Sequence, residues 1–507
     1  MKHLVSALFL LFLSVPVCLG QNGPIVPLDD PSLWALESLR LRGVAEPGDP
    51  GVQPWQESVL VRQLNDAVPS DEWARETLSR LRSRFSSQPA GSEAMGYRVL
   101  AGLRGATQDR HELIWRQVDA ESSFQQRISA EFWFTAGSWT ASFGFRHSRY
   151  YDLDPDGLDS AHRWMIRTEN AYVARNGEFI DVLLGRFAVN QAGLGRTGLL
   201  ISANPRPMDQ ISVRLGTDRL NLRTSILELD SITGDGRLTG IAGDDSVRTG
   251  SERRMLAVHR LAFRPAQGWT IGLSHSILYS GPGSGLSLKF ANPLQVAILS
   301  IDDRPKNDEN NGLLGAFIHR QTAKTLIQAQ FLLDDFDILN GKEPASVAVD
   351  LMASRREIAP SLDIEVRGTM VTARTYNSEQ AEGRYIYLGR GIGTQFSDFI
   401  LAGVTLHWLS FPGWRISPGF DMLMQGELDI RSSFPRYDEA DMILDGQVET
   451  TVRPFVRVDA LMAAGLDLSA DVGMAFISDE GHIAGASRTA FSGSLSLSYR
   501  IQGLRNR

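Results

Sequence analysis

The sequence predicts an all-β transmembrane barrel of about 18 antiparallel strands with a small N-terminal α-helical domain. Three observations predict it. Short turns alternate with long polar loops from residue 111 to the C-terminus. The segments between them, roughly ten residues long, alternate apolar with polar side chains. Four tryptophans, Trp139, Trp269, Trp408 and Trp414, stand within a few residues of a short turn, as an aromatic girdle at one membrane interface would require.

The short turns fall at Gly137-Ser138, Asn176-Gly177, Gly216-Thr217, Gln267-Gly268, Thr322-Ala323, 357–360, 411–413 and 462–465, and the long loops include 230–250, 281–311 and 430–446. The period of two is legible strand by strand. In 139–147, Trp139, Ala141, Phe143 and Phe145 share one face, against Thr140, Ser142, Gly144 and Arg146. In 414–425, Trp414, Ile416, Phe420, Met422 and Met424 oppose Arg415, Ser417, Asp421 and Gln425. Near the end, Phe491, Leu495, Leu497, Tyr499 and Ile501 oppose a run of serines and Arg500. Successive strand residues point to opposite faces, so each segment offers one side to lipid and the other to a polar lumen.

The first residues read as an export leader. Lys2 and His3 precede an apolar run over 4–17, too short for a membrane-spanning helix, and the expected cleavage follows Gly20. The only cysteine, Cys18, lies in that leader, so the mature chain has no thiol chemistry. A net charge of −8 argues against nucleic acid as a partner. Of the 51 basic side chains only Lys2, Lys289, Lys306, Lys324 and Lys342 are lysine. Arginine forks suit carboxylate and phosphate, which fits a lumen facing acidic sugars or lipopolysaccharide; genomic base composition would give the same bias.

Residues 21–110 read as a helical periplasmic domain. Asp30-Pro31 opens a helix over 32–42, and two more follow at 55–66 and 70–85, each with an apolar side. The barrel then occupies 111–507. Counting back from the C-terminus gives eighteen strands, the first at 111–118, with the strand-like stretch 97–103 left outside the wall. Even parity places the long loops outside the cell. Tyr499 stands near the end for recognition by the barrel-insertion machinery, with a short tail beyond it.

Motifs for soluble chemistry fail in context. Gly193, Gly195 and Gly198 fit G-x-G-x-x-G, but Pro205 and Pro207 follow where a phosphate-binding helix should run. Asp152, Asp154 and Asp156 reproduce the first half of a calcium loop, yet Arg163 stands where the bidentate glutamate belongs; a polar hairpin loop is the plainer reading. Asp334 and Asp335 are adjacent on a strand and so point apart. His111, His147, His275, His319 and His407 have no metal-ligand spacing, and no hydrolase motif occurs. No cofactor and no enzymatic activity are expected.

Residues 183–214 read LLGRFAVNQAGLGRTGLLISANPRPMDQISVR, joining a Gly-Arg strand end, a Gly-rich turn, a Leu-Ile-Ser run and an Asn…Arg-Pro segment. With the stretch 31–64 and its Leu…Arg-Gly-Val helix ending, GLSHSILYSGPG at 272–283 and FLLDDF at 331–336, this resembles the capsule assembly protein Wzi family over nearly the whole mature chain. The resemblance implies an outer-membrane, lectin-like protein that attaches capsular or extracellular polysaccharide to the cell surface, with a barrel occluded by its own helices and loops. By position in that segment, Arg186, Arg196, Asn204 and Arg206 are candidate glycan contacts, each with an alternative role in lining the lumen or closing a turn. Tyr385, Tyr387, Phe434 and Tyr437 are candidate sugar-stacking aromatics in the loops. Outer-membrane lipid is the other expected partner. The alternative function is a channel for anionic solutes or sugars, with lumen arginines steering them.

Overall fold

Each of eighteen strands pairs antiparallel with its sequence neighbours, and the ring closes where Ala94–Ala106 pairs with Ser487–Asn506. The computed structural model describes residues 23–42, 44, 49–85, 93–107, 124–148, 166–231, 253–281, 285–294, 310–334, 346–435, 440–462 and 465–506. The expected barrel and strand number are therefore present. A closed sheet leaves no strand edge unpaired, the condition for crossing a bilayer with strands.

The wall begins earlier than the sequence count places it. Strand Ala94–Ala106 contains the stretch 97–103 and pairs on both sides, whereas 111–118 lies outside the described residues. The C-terminal tail is also wall: the last strand runs to Asn506, in register with Ala94. These two corrections have one cause. The final strand needs a partner along its whole length, and the first strand, with three glycines and an inward Arg98, supplies it despite its weak alternation.

The outward face matches the period-two reading. Phe132, Phe143, Leu184, Leu273, Phe331, Val456, Phe491 and Leu495 are exposed around the circumference, as are Trp139 and Trp408 near the short turns. Trp269 and Trp414 are half-buried, with Arg320 stacked 4.7 Å from the Trp269 ring.

Three helices precede the wall: α1 (Leu33–Arg40), α2 (Glu57–Asp66) and α3 (Glu72–Arg84). The Asp71 side chain caps α3 by accepting from Ala74 N at 2.7 Å. Leu36, Leu39, Leu60, Leu64, Leu78 and Leu81 form their shared core, which continues onto Leu409 and Leu461 at two short turns. The helices thus pack against the short-turn end of the barrel rather than standing apart from it.

Candidate functional site

What the barrel can do depends on how its interior is filled, and two different chemistries fill it. In the short-turn half, buried arginines tie the N-terminal segment to the wall. Arg42 of the α1 ending reaches Asp363 through Nη1 at 2.6 Å and Nη2 at 3.0 Å. Arg415 of the wall bonds Glu37 at 2.8 Å and Asp459 at 3.0 Å. Arg98 bonds Glu57 at 3.0 Å, Arg260 bonds Asp49 at 3.1 Å, Arg84 pairs with Asp467, and Arg500 pairs with Asp30. Two parallel N–H donors match two carboxylate oxygens, a geometry an ammonium cannot supply. The described lysines, Lys289 and Lys324, sit in a long connection and a short turn, so the arginine bias has a structural use inside the barrel.

Electrostatics follow from this pairing. Burial raises the pKa of Glu37, but the guanidinium groups of Arg415 and Arg40 outweigh it and hold the carboxyl down at about 2. For Glu57 the balance tips the other way: burial dominates over Arg98, and the carboxyl is raised.

The segment between strands Ile180–Phe187 and Met208–Gly216 threads the lumen. Asn190 and Gln53 exchange backbone bonds at 2.9 and 3.0 Å, and Leu194 joins the helical core. The glycine motif is explained here. A Cβ on Gly193 would meet the Gln328 amide at 2.0 Å, and one on Gly195, at φ +73°, would meet the Glu37 carboxylate at 1.8 Å. Glycine lets the segment pass between α1 and the wall, and no helix or nucleotide site is present there.

In the long-loop half an apolar cluster fills much of the lumen, beside buried ion pairs such as Arg453 with Asp471. Leu199, Leu200 and Ile201 of the threading segment pack with inward-facing Leu256, Val258, Leu278, Leu313, Leu332, Leu401 and Leu423. A cap spanning 372–398, with a small hairpin of Ile386–Tyr387 and Arg390–Gly391, closes over them. Tyr376 and Tyr385 stack at 5.8 Å; their hydroxyls donate to Leu199 O at 2.6 Å and Ser276 Oγ at 3.1 Å. Burial raises both phenols above their ordinary range. The polar lumen expected from alternation is therefore interrupted by this apolar cluster in the long-loop half.

Above the cap, Asp398 joins it to the loop 426–448. Its carboxylate accepts from Leu444 N at 2.5 Å, Asp445 N at 3.1 Å and Leu428 N at 3.3 Å. Burial outweighs these bonds and pushes its pKa up to about 6.

The structure separates the candidate glycan residues into two groups. Arg196 is buried against Asp350, Asn204 donates to Gly391 O at 2.8 Å and Gln395 Oε1 at 2.7 Å, and Tyr385 is fully buried. These three close the lumen. Arg186 pairs with Asp209 at the solvent-accessible strand end, Arg206 and Tyr387 are half-buried, and Phe434 lies 4.9 Å under the Arg374 guanidinium. Those four share the long-loop end. Tyr437 and the Asp152, Asp154 and Asp156 loop lie outside the described residues. Of the Asp334–Asp335 pair, Asp334 is buried and accepts from Tyr376 N at 2.5 Å; Asp335 is not described. Sequence reasoning missed Asp398 and Tyr376, whose only signals are positions in a long loop.

The model of the family "Capsule assembly protein Wzi" matches residues 84–317, from the end of α3 through the first half of the wall. Over that stretch the chain is similar to the Wzi family. Escherichia coli Wzi, an outer membrane protein involved in group 1 capsule assembly and a carbohydrate-binding β-barrel, superposes with a TM-score of 0.62 at 15% identity. The match covers 95% of this chain and 99% of Wzi, and shows a shared fold. Acinetobacter baumannii OccAB4 (TM-score 0.45, 8% identity, 81% of this chain and 98% of that one) and Pseudomonas aeruginosa OccK8 (0.46, 9%, 82% and 100%) are more distant barrels, whose likeness is too low to bear on function. No curated protein matches the chain in sequence.

Proposed function

We propose that this barrel attaches capsular or other extracellular polysaccharide to the cell surface, acting as a lectin-like anchor and not as an enzyme. The observation that carries the reading is the filling of the lumen from both ends by the chain's own segments. The short-turn end holds α1–α3 through buried ion pairs, and the long-loop end holds the 372–398 cap on an apolar core. A channel needs a continuous wet path, so this filling favours loop-borne binding over transport. The carbohydrate-binding activity of E. coli Wzi supports the same direction.

On this reading the leader is removed after Gly20, the short turns and helices face the periplasm, and the long loops face outward. Arg186, Arg206, Tyr387 and Phe434 are then the described residues placed for glycan contact, combining planar donors with aromatic faces. The test is the ratio of cell-bound to released polysaccharide in a strain lacking the chain, against its complemented parent. Continued synthesis with shedding into the medium is the expected result. An unchanged ratio overturns the anchoring role, and a large conductance in planar bilayers would replace it with transport.

A further inference from the structure

Among the described residues, the outer surface of the wall is covered over part of three strands. Residues 285–294, in the connection between strands Trp269–Gly281 and Asn310–Gln321, lie back against it. Alternation fixes the faces. Arg254 points inward to the cap carbonyls and Arg260 to Asp49, so Met255, Ala257 and His259 point outward. Ser276 points inward to the Tyr385 hydroxyl, so His275, Ile277 and Tyr279 point outward.

Nearer the short turns, outward residues of the same strands are open: Leu261 is 42% exposed and Leu273 63%. Above them exposure collapses, to 7% at Met255, 2% at His259, 9% at His275 and 1% at Ile277. Phe290 provides the cover. Its ring lies 4.5 Å from that of Tyr279 and clusters with Ile226, Met255, Ala257 and Ile277. Tyr279 donates to Gly285 O at 3.0 Å, and His259 Nε2 donates to Phe290 O at 2.9 Å. The other nitrogen of His259 then accepts from the Thr224 hydroxyl at 3.0 Å. The His275 ring lies tilted against that of His259, with centroids 4.6 Å apart.

Height makes this arrangement informative. His275 is six residues above Trp269 of the girdle. A tilted strand climbs roughly 2.5 Å per residue along the membrane normal, which puts both histidines about 15 Å up, inside an apolar band about 25 Å tall. Imidazoles facing acyl chains are costly. The covering segment instead turns Leu286, Leu288 and Leu294 outward, at 65%, 70% and 85% exposure.

We propose that residues 285–294 form a membrane-embedded strap. Its outer face of Leu286, Leu288 and Leu294 contacts the acyl chains of the leaflet on the long-loop side, in place of the histidine-bearing wall beneath. The strap makes the lipid-facing perimeter continuous over strands Leu220–Glu228, Arg253–Phe263 and Trp269–Gly281.

Spin labels at Leu288→Cys and Leu294→Cys, each in the full chain carrying Cys18→Ser, test this in lipid vesicles. Leu273→Cys in the wall and Ile483→Cys in a long-loop-side turn serve as references. Collision with oxygen should be frequent and with an aqueous nickel chelate rare, as for Leu273→Cys. Ratios matching Ile483→Cys overturn the proposal, as does label–label broadening that places a second copy on the strap. The unsubstituted chain gives an independent reading. A lipid with a photoreactive acyl chain should crosslink to the peptide containing 286–294, and labelling of the Leu273 peptide alone overturns the strap.

Discussion

The two halves of the lumen are filled by opposite means. At the short-turn end, charge meets charge: Arg42, Arg84, Arg98, Arg260, Arg415 and Arg500 each find a carboxylate across the boundary between helices and wall or beside it. At the long-loop end, leucines and tyrosines pack together, and polar groups bond mostly to backbone carbonyls, as when Ser202 donates to Gly393 O at 2.6 Å. The first half depends on pairs, in which each partner is costly without the other. The second depends on volume and on where the loop backbone lies.

Breaking one pair should therefore have the largest effect. Arg415→Ala leaves Glu37 and Asp459 buried without their cation and should cost about 4 kcal/mol in denaturant unfolding of the detergent-solubilised barrel. Replacing all three with apolar residues of similar volume should recover most of that loss; failure to recover would mean that the pair supplies more than mutual compensation. In the apolar half, Leu401→Ala should cost about 3 kcal/mol by removing packed volume, with no charge partner available to rescue it. Tyr376→Phe should cost about 1–2 kcal/mol, because Leu199 O loses a donor while the ring stack survives.

Glu37 and Asp398, one in each half, should respond to acid with opposite signs. Glu37, held at about 2 when folded, contributes stability that is present above its unfolded value of about 4.3 and is lost as pH falls through the folded pKa. Asp398, raised to about 6, contributes stability that is fully present below its unfolded value of about 3.9 and is lost as pH rises through the folded pKa. Lowering pH from 7 to 5 should tighten the junction of the cap with loop 426–448 while leaving the Glu37–Arg415 contact unchanged. Hydrogen exchange at Leu444 and Asp445, corrected for intrinsic rate, reads this, and Asp398→Asn should remove the response. The smallest effect belongs to the solvent-accessible Arg186–Asp209 pair. Arg186→Ala should change stability by roughly 0.2–1 kcal/mol, so a marked drop in cell-bound polysaccharide in that variant would mark Arg186 as a glycan contact.

The alternation of Trp139 through Arg146 and of the serine-lined final strand shows the wall directly, because a strand facing lipid must separate apolar from polar side chains at period two. The same rule hid parts of the long-loop half. Strand Arg253–Phe263 is apolar on both faces above its middle, since its inner face meets the cap and its outer face meets Phe290. Nothing local in MLAVHRLAF distinguishes those two burials. The candidate site was likewise only half legible. Arginine, asparagine and aromatic residues at 183–206 and 385–437 were visible as sugar-binding types, but Arg196 and Arg186 look alike until Asp350 buries one and Asp209 leaves the other accessible.

The sequence by itself determined the strand number, the lipid-facing side of most strands, the short-turn end and the three helices, because each follows from local periodicity and turn chemistry. Tertiary structure alone decided which strand closes the ring, which arginines pair across it, and that an apolar cluster fills the lumen toward the long-loop end. Those outcomes depend on contacts between residues hundreds of positions apart, such as Arg500 with Asp30 and Tyr376 with Leu199, and chain closure sets them.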